Sequence, residues 1–323
     1  MMKKLQAISL FSGCGGFDYG AQQAGVEIIW ANDVDRIAES AYRSLFPDVN
    51  FKPGDIRDIE NFPSADVLIG CYPCTGFSLG ARRRWKSRSD RNLMDIEGNF
   101  LYREFLRALK KSQPKYFFVE NVWGMMTAGD GWFFSNQLQG FKKHGYDVKY
   151  AVLNATDYGV AQTRQRIFIV GVHKDISKVF KYKFLSPTHN TKEGNRGQVL
   201  RDIIGDLPLW PEGEFFDKVF HGHYLTRNRK RPWSKPSYTI VANAAHVPLH
   251  PEGEPMVFIS KDKWALQGDF NRRLSWKEAA RIQGLPDHIA PDGTLRAKYR
   301  VIGNAVPPAF GEALLTPIVQ YEA

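Results

Sequence analysis

The sequence predicts an α/β protein with a doubly wound, mainly parallel sheet of the Rossmann-like kind and a second, smaller and irregular domain. Three observations predict this class. Short β-rich apolar runs alternate with helical patterns through the first half, a glycine cluster follows the first run, and residues after about 181 are rich in Gly, Pro, Asn and His. Strands that alternate with helices form a parallel sheet covered on both faces.

The first half contains six strand candidates separated by helical patterns. The strand candidates are residues 5–11, 26–31, 65–70, 115–120, 148–153 and 166–172. Residues 17–25, 35–46 and 98–112 carry apolar side chains at helical spacing. In such a sheet a ligand lies outside the carboxyl ends of the strands, so residues just after each strand are the candidates for function.

Regular structure is sparse from 181 to about 270, where residues 238–243 (YTIVAN) are a short strand candidate. A helix is predicted after Leu274, with Ser275 as its cap, Glu278 completing a capping box and Gly284 closing it. The last predicted helix begins at the prolines 307 and 308, where proline is tolerated.

The charge of the chain is concentrated in two short segments. The 323 residues carry a formal net charge of +10, and residues 82–91 and 227–235 each contribute +5. This distribution favours phosphate contact at two chosen places, and two solvated basic loops are the alternative. The three cysteines predict no disulfide framework, and no segment reads as a signal peptide or membrane span. We therefore expect a soluble, cytoplasmic protein without a metal site.

Candidate binding and catalytic residues follow four of the predicted strands. Residues 11–16 (FSGCGG) let backbone approach a ligand, and Asp33 follows the second strand, which favours an adenosine-type ligand over a plain tight turn. Cys74 follows the third strand and Glu120 the fourth, a pairing that suggests covalent catalysis with proton transfer. Cys14 and Cys71 fit the usual fate of cysteine as a small buried hydrophobe.

Six blocks in order give the chain a resemblance to a known family. They are FSGCGG, GCYPCTGFS, ENV, QTRQR at 162–166, RRLSWKEAARIQGLPD at 272–287 and GNAVPP at 303–308. In these blocks the chain resembles the DNA cytosine-5 methyltransferases, of the compact type that accompanies restriction enzymes. The resemblance covers nearly the whole chain and implies methyl transfer from S-adenosylmethionine to C5 of a cytosine in duplex DNA.

The resemblance implies specific roles for the catalytic residues. Cys74 matches the nucleophile that adds to cytosine C6, and Glu120 matches the group that supplies a proton or hydrogen bond at N3. Arg164 and Arg166 match the arginines that hold the carbonyl oxygen of the base. Thr75 departs from the glutamine that commonly follows Pro-Cys in the family, so contacts near the flipped base differ here.

The resemblance also implies a cofactor site formed by both ends of the chain. Its residues are Phe11, Gly13, Gly15, Gly16, Asp33, Val34, Asp55, Ile56, Asn304 and Ala305. The match of Asn304 requires the C-terminal helix to pack back on the first domain, although Asn304 could also cap a helix before Pro307. We therefore expect a catalytic domain of residues 1–180 completed by 290–323, with 181–289 as the target-recognition domain.

For DNA, the resemblance implies base flipping and two contact segments. Residues 80–91 match a loop that closes over DNA, with contacts from Ser78, Arg82, Arg83, Arg84 and Trp85. In the recognition region Arg227, Arg229 and Arg231 bind phosphate or read guanine edges, and residues 243–246 are plausible readers.

Two other functions remain open from sequence. One is the related branch that methylates cytosine in transfer RNA, and the other is a catalytically silent DNA-binding module. We expect a monomer, with a cognate restriction endonuclease as a genetic partner.

Overall fold

A seven-stranded sheet organises the molecule. The computed structural model describes residues 4–73, 76–77, 93–190 and 195–323. The strands lie in the order β3-β2-β1-β4-β5-β7-β6, and β7 is antiparallel to both of its neighbours whereas the other pairs are parallel. The strand bounds are β1 Gln6–Leu10, β2 Glu27–Asp33, β3 Asn50–Pro53, β4 Val67–Gly70, β5 Tyr116–Asn121, β6 Tyr146–Asn154 and β7 Gln165–His173.

Helices cover both faces of this sheet, as the sequence predicts. In the described part of the chain they are α1 Gly16–Gln23, α2 Arg36–Leu45, α3 Tyr102–Ser112, α4 Trp132–Lys143, α5 Lys174–Ser177, α6 Leu200–Ile204, α7 Trp276–Ile282, α8 Leu295–Asn304 and α9 Pro308–Glu322. Side chains alternate along a strand, so Ala7 joins the core under α1 and α9 while Ile8 joins the core under α3 and α4. The predicted α/β class with a doubly wound, mainly parallel sheet is confirmed.

The order of the strands reverses between β1 and β4. From β1 the chain runs outward through β2 and β3, and then returns to place β4 on the other side of β1. The carboxyl ends of β1 and β4 therefore flank a topological switch point, where open α/β sheets bind ligands. The glycine turn follows β1, and the segment that leads to Cys74 follows β4.

Two elements differ from the sequence prediction. The edge strand β3 was not predicted, because only Phe51 among its four residues is buried and the strand therefore lacks an alternating pattern. Residues 238–243 do not form the predicted strand. Their backbone bonds to side chains of the 162–166 block instead, because the Ile240 N–H donates to Gln162 Oε1 and the Ile240 carbonyl accepts from Arg164.

The predicted helix signals after Leu274 are confirmed. The Ser275 hydroxyl accepts from the Glu278 N–H, the Glu278 carboxylate accepts from the Ser275 N–H, and Gly284 has the left-handed φ of +78° that ends the helix. Glu278 also forms a buried bidentate ion pair with Arg272. The block at 272–287 is thus a structural anchor of the irregular region.

That irregular region contains the hairpin β8 Val257–Ser260 and β9 Lys263–Ala265. A small apolar cluster of its own contains Tyr224, Leu249 and Met256. Other residues between 182 and 285, including Ile240 and Leu274, join the large core under α1 and α9. The irregular region is therefore built directly onto the sheet domain.

Helices α1 and α9 pack backbone to backbone through glycine. A Cβ on Gly20 would overlap the Pro308 carbonyl, and a Cβ on Gly311 would overlap the Phe17 carbonyl. This packing brings the C-terminal helix back onto the first turn after β1, as the resemblance implies for the residues near 304.

We expect Gly20→Ala to lower the free energy of unfolding by about 1–3 kcal/mol or more, because the added methyl meets rigid backbone. Denaturant unfolding measures the change. Gly222→Ala is the matched control, since a Cβ there meets nothing within 4 Å. Equal stability of the two variants would contradict this account of the helix contact.

Candidate active site

The turn after β1 contains two residues of positive φ and is held by hydrogen bonds to one carboxylate. Phe11 has a φ of +55°, which is uncommon for a non-glycine residue, and Gly13 has the same φ. The Gly13 N–H donates to Asp33 Oδ2 at 2.8 Å, and the Asp35 N–H donates to Asp33 Oδ1 at 2.8 Å. The end of β2 therefore fixes the turn at the end of β1.

Glycine is suited to each position of this turn for a different physical reason. A Cβ on Gly13 would enter open space, so this residue leaves room beside the turn. A Cβ on Gly15 would overlap the rings of Tyr42 and Phe46, and a Cβ on Gly16 would overlap the Val306 carbonyl. Internal packing thus requires glycine at both positions, and the place of Gly15 and Gly16 in the cofactor site stays a prediction.

The remaining predicted cofactor residues near β2 and β3 lie around the same edge. Burial raises the pKa of Asp33, and the two backbone hydrogen bonds oppose that shift. Val34 is 70% exposed, so its side chain is accessible at this edge. Asp55 accepts hydrogen bonds from Arg57, which lower the pKa of its carboxyl, and the Ile56 side chain is buried.

Glu120 and Arg166 form an ion pair at the end of β5. Arg166 Nε lies 2.9 Å from Glu120 Oε1, and both side chains are largely but not fully buried. Burial raises the pKa of Glu120, whereas the charges of Arg166 and Arg164 lower it. Burial and the arginine charges thus shift the pKa of the Glu120 carboxyl group in opposite directions, an arrangement common in groups that exchange protons.

Cys74 lies outside the described residues, but the chain on either side of it is anchored. Tyr72 is buried, and its carbonyl accepts from Asn121 Nδ2 at 3.3 Å. Phe77 is also buried, and its carbonyl lies so close to Gly124 that a Cβ there would overlap it. Both anchors belong to β5 or to the turn that follows it, the same segment that carries Glu120.

The other two cysteines do not offer a thiolate. Burial raises the pKa of Cys14 to about 12 and holds the pKa of Cys71 well above its usual value. Both thiols therefore stay protonated at neutral pH. The expectation that they are small buried hydrophobes agrees with the 1% exposure of Cys14 and the partial burial of Cys71.

Arg164 has a different position from the one that the resemblance implies. It is 2% exposed, and its guanidinium donates to the carbonyl oxygens of Ile240, Gly303 and Ala305. Those bonds turn it away from a role in holding the base and make it a positioning residue. The structure therefore gives Arg164 a structural role in place of the predicted contact with the base, whereas Arg166 Nε lies 2.9 Å from Glu120 Oε1.

Sequence reasoning missed two glutamines that extend this buried network. Gln162 Nε2 donates to Gln283 Oε1 at 2.8 Å, and Gln283 Nε2 donates to the Ile302 carbonyl at 2.8 Å. Both side chains are fully buried. Their presence in the 162–166 and 272–287 blocks was the available signal, because a glutamine at a core position needs partners for its amide.

We expect Arg164→Gln to lower the free energy of unfolding by at least about 3 kcal/mol, because a shorter side chain leaves buried carbonyl oxygens unpaired. Thermal and denaturant unfolding measure this. Arg166→Gln is the matched control and should unfold much closer to the wild type, since its guanidinium makes one ion pair and a bond to the adjacent Gln165 carbonyl. The reverse ranking would contradict the structural role of Arg164.

The late block lies where α8 ends. Asn304 is the last residue of α8 and is exposed, and the Ala305 carbonyl accepts from Arg164. The alternative role of Asn304 as a helix cap is corrected: the N-cap position of α9 is Pro307, and no side chain caps it. The exposed Asn304 amide is thus not engaged in capping this helix.

The basic segment 227–235 is only partly available for DNA. Arg227 is exposed, and the Arg231 guanidinium lies 4.2 Å from the centre of the Tyr238 ring. Arg229 is 5% exposed and donates to the carbonyl oxygens of Tyr224 and His246, while Lys230 Nζ donates to those of Glu254 and Phe270. The prediction of Arg229 as a DNA contact is therefore corrected to a structural role. Ser78, Arg82, Arg83, Arg84 and Trp85 lie outside the described residues.

Comparison with known proteins decides the family. The family model for C-5 cytosine-specific DNA methylase matches residues 5–320. The chain belongs to this family. It is a DNA cytosine-5 methyltransferase of the restriction–modification type, as the sequence blocks predicted.

Curated relatives match this methyltransferase over almost its whole length. Type II methyltransferase M.BsuRI of Bacillus subtilis is 38% identical, covering 98% of this chain and 80% of the relative. Type II methyltransferase M.NgoPII of Neisseria gonorrhoeae is 35% identical, covering 94% of this chain and 92% of the relative.

Solved structures share the fold. A DNA modification methyltransferase encoded within a prophage (E. coli) has a TM-score of 0.70 at 21% identity, covering 98% of this chain and 99% of its own. The Dnmt2 methyltransferase of S. pombe has a TM-score of 0.67 at 16% identity, covering 99% of both chains.

Among the described residues of this methyltransferase, no helix combines the length and apolar character needed to cross a membrane.

Proposed function

We propose that this methyltransferase transfers a methyl group from S-adenosylmethionine to C5 of a cytosine flipped out of a specific duplex DNA sequence, through a covalent bond between Cys74 and C6. The observation that carries the proposal is the Glu120–Arg166 ion pair, because Glu120 lies on the same segment that anchors the chain on both sides of Cys74. A carboxyl group whose pKa burial raises is suited to donate a proton to the base.

The residues at the switch point fit S-adenosylmethionine, which supplies an electrophilic methyl group. Open space lies beside Gly13, and Asp33 keeps carboxylate lone pairs beyond the two that backbone N–H groups use. We propose that Phe11 and Gly13 border the methionine part, that Asp33 accepts from the ribose hydroxyls and that exposed Val34 contacts the adenine. Asp55, the Ile56 backbone, Asn304 and Ala305 complete the site, and Gly15 and Gly16 support it through packing.

The chain's own residues carry the steps on the base. The Cys74 thiolate forms a bond to C6, and the C5–C6 π electrons move to form a C4–C5 double bond. The C4–N3 π electrons move to N3, which takes a proton from Glu120, and C5 of the resulting enamine is nucleophilic. Arg166 holds Glu120 in place and binds the carbonyl oxygen of the base. After C5 carries the methyl group, a base removes the C5 proton, the C5–C6 double bond re-forms, the C6–S bond breaks and Cys74 leaves as thiolate. N3 returns its proton to Glu120, which regenerates the neutral base and the acid.

We propose two segments of the chain for DNA contact. We propose that residues 80–91 close over the flipped base, with Ser78, Arg82, Arg83, Arg84 and Trp85 at the DNA. We propose that residues 181–289 form the recognition domain on a catalytic domain of 1–180 and 290–323, and that Arg227 and Arg231 contact DNA there. The enzyme acts as a monomer, in the cytoplasm, beside a cognate restriction endonuclease.

We expect Arg227→Gln to weaken DNA binding similarly for all sequences and to reduce the slope of log K against log salt by about 1, because one phosphate contact is lost. Binding titrations at several salt concentrations measure both. Lys178→Gln, which removes a surface lysine of the first 180 residues, is the control and should change neither. An unchanged salt slope for Arg227→Gln would remove this residue from the DNA contacts.

Transfer of labelled methyl groups tests the proposed function directly. The protein is incubated with labelled S-adenosylmethionine and either duplex DNA or transfer RNA, and label is expected only in DNA. Bisulfite sequencing of a plasmid carried with the active enzyme then gives the methylated sequence. Label found only in transfer RNA would overturn the proposal, and the absence of label from both would indicate a silent DNA-binding module.

A further inference from the structure

A buried carboxylate lies at the base of the turn that follows β1. Asp18 belongs to the first turn of α1 and is 1% exposed. The hydroxyl of Ser9, one residue before the end of β1, donates to Asp18 Oδ1 at 2.8 Å. The chain therefore leaves β1 beside this carboxylate, forms the glycine turn and returns to the same carboxylate in α1.

Tyr42 of α2 connects the carboxylate to the glycine turn from a second side. Its hydroxyl donates to Asp18 Oδ2 at 2.9 Å. Its ring lies so close to Gly15 that a Cβ there would overlap it. Asp18, Tyr42 and the turn thus form one packed unit, in which each carboxylate oxygen accepts from one hydroxyl group.

The charge of Asp18 has no cation to balance it among the described residues. In that part of the chain its carboxylate pairs with two hydroxyl groups and with no arginine, lysine or histidine. Burial is the main cause that raises the pKa of Cys14 and of Cys71, and the charge of Asp18 adds to the shift at both thiols. Buried carboxylates are normally paired with a cation, because an unpaired buried charge is costly. A cationic ligand beside this turn would provide that partner.

We propose that Asp18 makes the cofactor site prefer the charged methyl donor over the product that remains after transfer. S-adenosylmethionine carries a sulfonium cation where S-adenosylhomocysteine has a neutral thioether, and the two molecules share their ammonium, carboxylate and adenosine groups. The Asp18 carboxylate attracts the sulfonium through the protein interior without contact, since charges interact more strongly there than in water. The inference rests on the proposed cofactor site, in which Phe11 and Gly13 of this turn border the methionine part.

The preference for the donor follows the ionisation of Asp18. Burial raises the pKa of Asp18 to about 6, and the hydrogen bonds from Ser9 and Tyr42 oppose that shift. Above this pKa the carboxylate is ionised and attracts the sulfonium, and as the pH falls through it the carboxylate gains a proton and the attraction is lost. Burial also raises the pKa of Asp33 and of Glu120 at the same edge of the sheet. A pH dependence that persists without Asp18 belongs to those two groups.

Calorimetric titration of the full-length protein with S-adenosylmethionine and with S-adenosylhomocysteine, without DNA, tests the proposal. At about pH 8 we expect Asp18→Asn to lower the ratio of donor affinity to product affinity by about three- to tenfold, because a cation that shifts a neighbouring pKa by up to about one unit gains that factor in affinity. At about pH 5 the wild-type ratio should approach that of the variant.

Two results of these titrations would overturn the proposal. One is an equal ratio in wild type and Asp18→Asn at about pH 8, including an equal loss of affinity for both ligands, which would give Asp18 a purely structural role. The other is a wild-type protein that binds neither ligand, which would overturn the proposed cofactor site as well. A site that binds both ligands without an Asp18 effect leaves the proposed function intact.

Tyr42→Phe tests the same charge while keeping the carboxylate. Loss of the Tyr42 hydrogen bond raises the pKa of Asp18, so the pH at which the donor preference disappears should rise by about half a unit or more. Tyr182→Phe is the matched control, because it removes another buried tyrosine hydroxyl, which donates to the Leu314 carbonyl, and should leave that pH unchanged. The same pH in wild type and Tyr42→Phe would contradict the role of Asp18, even if Asp18→Asn fails to fold.

Discussion

Cys74→Ala is expected to abolish methyl transfer, with a fall in turnover of about 10³-fold or more, because no other group can replace the nucleophile in the covalent mechanism. Cytosine C5 needs the electron density that thiolate addition at C6 provides. The readouts are labelled methyl incorporation and the covalent complex formed with DNA that contains 5-fluorocytosine. In that substrate a fluorine replaces the C5 proton, so the wild-type enzyme stays bound through Cys74, whereas the variant forms no such complex.

Cys14→Ala provides the matched control for this prediction. The Cys14 side chain is buried in the core and burial raises its pKa to about 12, so it supplies no thiolate near neutral pH. We expect the control to form the covalent complex, with a small loss of stability because it fills the core less well. Methylation retained by Cys74→Ala would remove Cys74 from the mechanism, whatever the control shows.

Glu120→Gln is expected to lower turnover by about 10²–10⁴-fold, the usual contribution of a general acid. The amide keeps the shape of the side chain and still offers a hydrogen bond, but it has no proton to transfer to N3. Single-turnover methylation at saturating DNA measures the loss, and circular dichroism checks that the variant is folded. Activity within twofold of the wild type would exclude proton transfer by Glu120.

The pH dependence of the rate gives a second, independent test of the same pair. Only protonated Glu120 can donate, so this contribution is present below the pKa of Glu120 and is lost as the pH rises through it. Because the charge of Arg166 lowers that pKa, Arg166→Gln should move the alkaline limb of the rate profile to higher pH while reducing the rate. Glu120→Gln should lack this limb. A limb at the same pH in wild type and Arg166→Gln would contradict the electrostatic coupling.

The sequence predicted those elements whose structure depends mainly on residues close together in the chain. The apolar β-rich runs predicted six of the seven strands of the sheet, and Ser275 with Glu278 predicted the start of α7, because capping needs only residues three positions apart. The strand β3 was missed because three of its four side chains face solvent. Strand 238–243 was predicted wrongly because distant side chains take its backbone hydrogen bonds.

The sequence by itself therefore determined the sheet class, the glycine turn with Asp33, and the placement of Glu120 at a strand end. Only the tertiary structure separated Arg164 from Arg166 and the buried Arg229 from the exposed Arg227. All four are basic residues in basic or motif segments, and their local sequence does not distinguish them. What distinguishes them is which carbonyl oxygens from distant parts of the chain, such as those of Ala305 and His246, come to surround each guanidinium. That arrangement forms only when the chain packs, because burial of a charged group is tolerated where such partners converge.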